Sequence, residues 1–149
     1  MARAETSEIL VLTAEDSSDD YLLIEQGFGK MERIRLVGRV ADGSEAIAYL
    51  KGDGPYADRL KFPFPDLLLL DLKMPGVDGF EVLRWLQTQS FPKLVVIVLS
   101  GSERREDMTQ ALQLGADFYQ TKQIDLAQQI RMLKVVEQYM ARQRRASAE

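Results

Sequence analysis

Four consecutive leucines, Leu67 to Leu70, run directly into an acid, Asp71. A strand that is apolar at every position has no face to offer water, so it must be covered on both sides, as strands are in a parallel sheet flanked by helices. Ile9 to Leu12 and Leu94 to Leu99 have the same continuous character, and Ile34 to Val40 and Asp117 to Gln120 supply two weaker strands. Helical periods fall between them. Ser17 or Ser18 can cap a helix with Asp19 and Asp20 in its first turn and Tyr21, Ile24, Phe28 and Met31 at spacings of three and four. Asp42-Gly43-Ser44 opens a short helix ending near Gly52, Gly79 to Gln89 makes a third, and Glu103 to Leu114 makes a fourth with Gly115 as its stop. The last helix runs from about Asp125 toward Arg142. Five alternations of strand and helix predict an open, doubly wound, five-stranded parallel α/β sheet.

The composition removes much chemistry. None of the 149 residues is Cys or His, so there is no disulfide, thiolate nucleophile, Ser-His-Asp triad or phosphohistidine in this chain. Carboxylates, hydroxyls, Lys and a hard metal ion remain for any phosphoryl chemistry. With 19 basic and 23 acidic residues the net charge is −4, which argues against a nucleic-acid partner. No apolar stretch approaches the roughly 18 residues of a membrane span, and the first residues do not resemble a signal peptide. The expectation is a cytoplasmic chain with no membrane partner. One domain is expected over residues 1–149, with a core of about 8–140 and tails at 1–7 and 141–149.

Open parallel sheets bind ligands beyond the carboxyl ends of their strands. The first strand delivers Glu15 and Asp16 to that edge, the third Asp71, the fourth Ser100 followed by Gly101, and the fifth Lys122. Neighbouring carboxylates repel unless a cation joins them, and an all-oxygen set favours Mg²⁺ or Mn²⁺. Glu15 and Asp16 alone would read as ordinary helix-capping acids, Ser100 as a turn residue and Lys122 as a solvated charge. An acid directly after four buried leucines, however, is costly unless paired or liganded.

Glu15-Asp16, the run Asp71-Leu-Lys-Met-Pro-Gly-Val-Asp-Gly, Ser100-Gly101 and Gly-Ala-Asp-Phe-Tyr-Gln-Thr-Lys ending at Lys122 together resemble a two-component response regulator receiver domain. The resemblance spans about Glu8 to Tyr139. It implies a flavodoxin-like, CheY-like fold with strand order 2-1-3-4-5, and a phosphoacceptor that receives its phosphoryl group from a sensor histidine kinase. Asp71 would be the phosphoacceptor. Asp16, Asp71 and the backbone carbonyl of Lys73 would bind Mg²⁺ directly, with Glu15 reaching it through water. Lys122 and Ser100 would contact phosphoryl oxygens, Gly101 would leave room for them, and Ser100 and Tyr119 would form a switch. Phosphatases that pass through an aspartyl phosphate are the rival class, but they need a second Asp two residues after the nucleophile, where Lys73 stands here. A passive adaptor is the other rival, and the intact acidic, hydroxyl and lysine set counts against it.

After the fifth strand 29 residues remain, enough for one helix and a tail, so the expected output is binding to a downstream protein. Residues 131–149 carry a local charge of +3, which suits the negative end of a helix dipole. The long connection from Gly52 to Pro65, with Tyr56, Phe62 and Phe64, resembles single-domain receivers paired with bacterial phytochrome kinases. On the last helix, Leu126, Ile130, Leu133, Val136 and Met140 form one apolar stripe, and Met132, Val135 and Tyr139 form a second, predicting a homodimer through the fourth helix, fifth strand and fifth helix. Gln123 stands where the family usually has a cis proline after the lysine. Because a cis bond before a non-proline residue costs about 2.5–4 kcal/mol, a trans Lys122–Gln123 bond is expected.

Overall fold

The computed structural model describes residues 8–122 and 125–148, with side chains described as far as residue 143. Its elements alternate as expected: β1 (Ile9–Ala14), α1 (Ser18–Phe28), β2 (Ile34–Val40), α2 (Gly43–Lys51), β3 (Leu67–Leu70), α3 (Gly79–Gln87), β4 (Val95–Ser100), α4 (Arg105–Gln113), β5 (Phe118–Thr121) and α5 (Leu126–Ala148). The five strands are parallel in the order β2-β1-β3-β4-β5, so the winding direction reverses between β1 and β3.

The leucine run is explained by where alternate residues point. Leu68 and Leu70 join Leu12, Val96 and Val98 beneath α2, α3 and α4, whereas Leu67 and Leu69 join Val11, Ile97 and Leu99 beneath α1 and α5. All four β3 leucines are at most 1% exposed. Helix starts follow local chemistry: the side chains of Ser17, Asp42 and Asp78 accept hydrogen bonds from the backbone N–H groups of Asp20, Glu45 and Glu81. Gly52, at φ 77°, ends α2 in the left-handed region that suits glycine.

Several boundaries differ from the sequence expectation. β1 continues through Thr13 and Ala14, and β4 and β5 each start one residue later. α3 and α4 are shorter than expected, and α1 stops at Phe28, leaving Met31 beyond the helix although it still packs against the α1–α5 core. Residues 141–148, expected as tail, are helical. That segment is rich in Ala, Arg and Gln, all good helix formers, and contains no glycine or proline to end it.

The two stripes of α5 are also redistributed. Leu133, Val136 and Met140 are buried, while Met132 and Tyr139 of the second stripe pack against the same core. Tyr139 meets Phe118 edge-on at 4.6 Å, so only Val135, 66% exposed, remains open from that stripe. β5 is an edge strand with a half-open surface, and Tyr139 of α5 packs against its Phe118.

The long connection after α2 forms a 3₁₀ turn at Gly54–Ala57 and is packed rather than loose. The Arg59 guanidinium donates to the carbonyls of Tyr49 and Leu50 at the end of α2, and the rings of Tyr49, Tyr56 and Phe62 lie 4.8–6.1 Å apart. Among the described residues no peptide bond is cis and no helix is long and apolar enough to cross a membrane. Gln123, and with it the expected geometry of the Lys122–Gln123 bond, lies outside the described residues.

Candidate functional site

The ladder brings the predicted residues to one edge. The N–H of Asp71 donates to the carbonyl of Ala14 at 3.0 Å, and that of Lys122 donates to the carbonyl of Ser100 at 2.8 Å, so the ends of β1, β3, β4 and β5 are in register there. Gly79, opening α3, lies against the backbone carbonyl of Asp71, and any Cβ at that position would collide with it. Arg39 of β2 donates to the carbonyls of Glu15 (3.0 Å) and Asp16 (3.2 Å), fixing the turn that carries both acids.

Glu15 and Asp71 are 1% and 5% exposed, Asp16 is exposed, and one carboxylate oxygen from each lies within 4.8 Å of the others. Glu15 also accepts from the N–H of Ser17, and Asp71 from that of Lys73. Into this group reaches the Lys122 ammonium, 2.8 Å from Glu15 Oε1, 3.1 Å from Asp71 Oδ2 and 2.7 Å from Asp20 Oδ2. Burial pushes the Glu15 carboxyl up to about 7, with the Lys122 hydrogen bond opposing the rise and the Asp71 charge adding to it. Burial works against the Lys122 charge as well, but the hydrogen bonds to Asp20 and Glu15 and the Asp71 charge outweigh it and hold that amine above its ordinary range. One ammonium does not balance four acids. The remaining negative charge and the hard oxygen donors fit a divalent metal site.

Ser100 is fully buried, and its Oγ accepts from the N–H of Ser102, which leaves the hydroxyl proton free to donate elsewhere. A Cβ built on Gly101 would meet nothing within 4 Å, in keeping with open space beside the site. Tyr119 is half-buried, and its hydroxyl donates to the carbonyl of Ser102 at 2.8 Å. Ser102 Oγ in turn donates to Asp107 in the first turn of α4 at 2.6 Å.

Glu15, Asp16, Asp71, Ser100 and Lys122 are therefore together at the sheet edge, and Tyr119, within β5, is tied to it through the Ser102 carbonyl. Sequence reasoning missed Asp20, Arg39, Ser102 and Asp107. Asp20 reads from the sequence only as an acid in the first turn of α1, and nothing local marks its partner. Arg39, 24 residues from Glu15, likewise carries no local signal.

A model of the response regulator receiver domain matches residues 11–134 of this chain. The response regulator Rcp1 of Synechocystis sp. is 30% identical over 131 residues, covering 87% of each chain. This chain spans only 29–52% of the longer curated regulators that it also matches. Among solved structures, the phosphorylated cyanobacterial phytochrome response regulator RcpA superposes with a TM-score of 0.80 at 33% identity, covering 90% of this chain and 94% of that one. The Mn²⁺-bound form of Rcp1 superposes at 0.75 with 30% identity, covering 87% and 91%. The matched region contains the whole acidic edge from Glu15 to Lys122, and the chain belongs to the response regulator receiver domain family, homologous to the response regulators of two-component systems.

Proposed function

We propose that Asp71 accepts a phosphoryl group from the phosphohistidine of a sensor histidine kinase. An Asp71 carboxylate oxygen bonds to phosphorus as the phosphorus–nitrogen bond breaks, and the electron pair leaves with the kinase imidazole. The observation that carries this reading is the Lys122 ammonium 3.1 Å from Asp71 Oδ2, beside a trio of acids suited to a hard cation. Asp16, Asp71 and the Lys73 carbonyl would hold Mg²⁺ directly and Glu15 through water, and the ion would neutralise charge on the phosphoryl oxygens. Lys122 meets one of those oxygens, and the free Ser100 hydroxyl proton meets another. The chain acts as a phosphoacceptor that assists its own phosphorylation and dephosphorylation rather than as a turnover enzyme, with Lys73 in place of the second acid that a phosphatase requires.

The output is a changed protein-binding surface. Ser100, Ser102 and Tyr119 share consecutive hydrogen bonds, so turning the Ser100 hydroxyl toward a phosphoryl group disturbs the Ser102 carbonyl that holds Tyr119. Met108 and Leu112 on α4, Phe118 on β5 and Val135 on α5, 36–66% exposed, make up the proposed apolar face. A second copy of the chain covers this face; sedimentation of wild type and Val135→Asp at tens of micromolar checks it, and a wild type that stays monomeric with and without phosphate would remove it. The partner kinase is a bacterial phytochrome and the setting is the cytoplasm, a reading supported by the end-to-end likeness to Rcp1 and RcpA; transfer only from non-photosensory kinases would overturn it. The central test is phosphate incorporation from acetyl phosphate. Incorporation that needs Mg²⁺ and vanishes in Asp71→Asn is expected, and incorporation that survives in Asp71→Asn would defeat the assignment.

A further inference from the structure

Lys122 is held by more carboxylates than the chemistry at Asp71 requires. An ammonium has three donors, and each has a short partner here, the shortest being Asp20. Glu15 and Asp71 are buried members of the acidic trio, whereas Asp20 lies outside that trio on the solvent side, 46% exposed. Its own N–H donates to Ser17 Oγ at 3.2 Å, so it is fixed in the first turn of α1, where the helix dipole also favours a negative charge. The three anchors fare differently during the reaction. Glu15 and Asp71 are carboxylates that a divalent ion engages, and phosphorylation removes the negative charge from the Asp71 carboxyl itself. Asp20 belongs to neither the acidic trio nor the phosphoacceptor, so neither event consumes its carboxylate.

We propose that Asp20 is a positioning residue for Lys122, restraining the ammonium from the solvent side so that it stays aimed at the phosphoryl oxygens once the other two carboxylates are engaged. The inference rests on the reading of Asp71 as the phosphoacceptor. An amine on a flexible four-carbon stem needs such an anchor, because the orientation it loses otherwise must be recovered during the reaction. Asp20 touches neither phosphate nor metal in this role.

Two measurements on the full chain test the inference: proton exchange of the Lys122 ammonium, followed by ¹⁵N NMR without metal, and phosphorylation by acetyl phosphate with Mg²⁺. Asp20→Ala is expected to speed the exchange and slow phosphorylation, each about tenfold, the size associated with one charge-assisted hydrogen bond at a positioned group. Asp20→Asn should fall between Asp20→Ala and wild type, and Asp20→Glu should recover most of the rate. Asp19→Asn removes the same charge from the same helical turn and should leave both measurements at wild-type values. Exchange within twofold of wild type in Asp20→Ala, or phosphorylation within twofold of wild type or faster, would overturn the inference. If wild type takes up no phosphate while Asp20→Ala still frees the ammonium, the anchor stands and the Asp71 reading fails.

Discussion

Leu70, the last residue of β3, and Asp71, the next in the chain, are nearly equally hidden, 0% and 5% exposed, yet they are stabilised by opposite means. Below Leu70 the sheet interior is held by apolar contact from helices on both faces, which is non-directional and indifferent to any particular partner. One residue further on, burial becomes unfavourable in itself and is sustained by a lysine 51 positions away, the Lys73 N–H and the capacity to take a cation. The interior therefore depends on volume, and the edge depends on pairing. Substitutions in the two regions should differ in kind as well as in size.

The largest expected effect is in the interior. Leu69→Ala should lower unfolding free energy by about 2–5 kcal/mol in denaturant titrations, and added Mg²⁺ should not restore the loss. A loss below 1 kcal/mol would mean that the cavity collapses and that the two regions differ less than their contacts indicate. At the edge, Lys122→Met should cost about 2–3 kcal/mol in metal-free protein, because Glu15 and Asp71 lose their shared cation. Here Mg²⁺ should raise the midpoint of thermal unfolding more than it does in wild type, since the ion takes over the neutralisation that the amine provided. Equal shifts in the two proteins would show that the amine and the ion act independently. The smallest effect belongs to Tyr119→Phe, expected to cost about 1 kcal/mol by removing the hydrogen bond to Ser102. If that variant keeps wild-type stability and wild-type association after phosphorylation, Tyr119 does not link the edge to the surface near α4.

The contrast also separates what was readable in the chain from what was not. Strands buried on both faces write their burial into consecutive apolar residues, which is why Leu67–Leu70 was legible to the residue, whereas the buried but less apolar ends Thr13-Ala14 of β1 and Ser100 of β4 were not. The starts of α1, α2 and α3 were legible because a capping side chain acts within three residues, whereas α4, which has no side-chain cap, starts two residues later than expected. The far end of α5 was not legible, since nothing local marks where a good helix former stops.

At the site, residue type and order along the chain were enough to nominate Glu15, Asp16, Asp71, Ser100 and Lys122, because a parallel sheet presents strand ends at a common edge, whereas Tyr119 followed only from the family resemblance. Which acid the amine holds most closely was decided only by the tertiary structure. Asp20 and Lys122 are 102 residues apart and meet because β1 and β5 end at the same edge and α1 leaves β1 there. The second stripe of α5 shows the same limit from the apolar side. Periodicity names the residues that share a helix face, but that Met132 and Tyr139 pack toward the core, Tyr139 against Phe118 of the neighbouring strand, is decided by the packing of α5 on the sheet. Local sequence specifies elements through interactions a few residues long, whereas partners, burial and charge compensation are settled by distances that exist only after the sheet has formed.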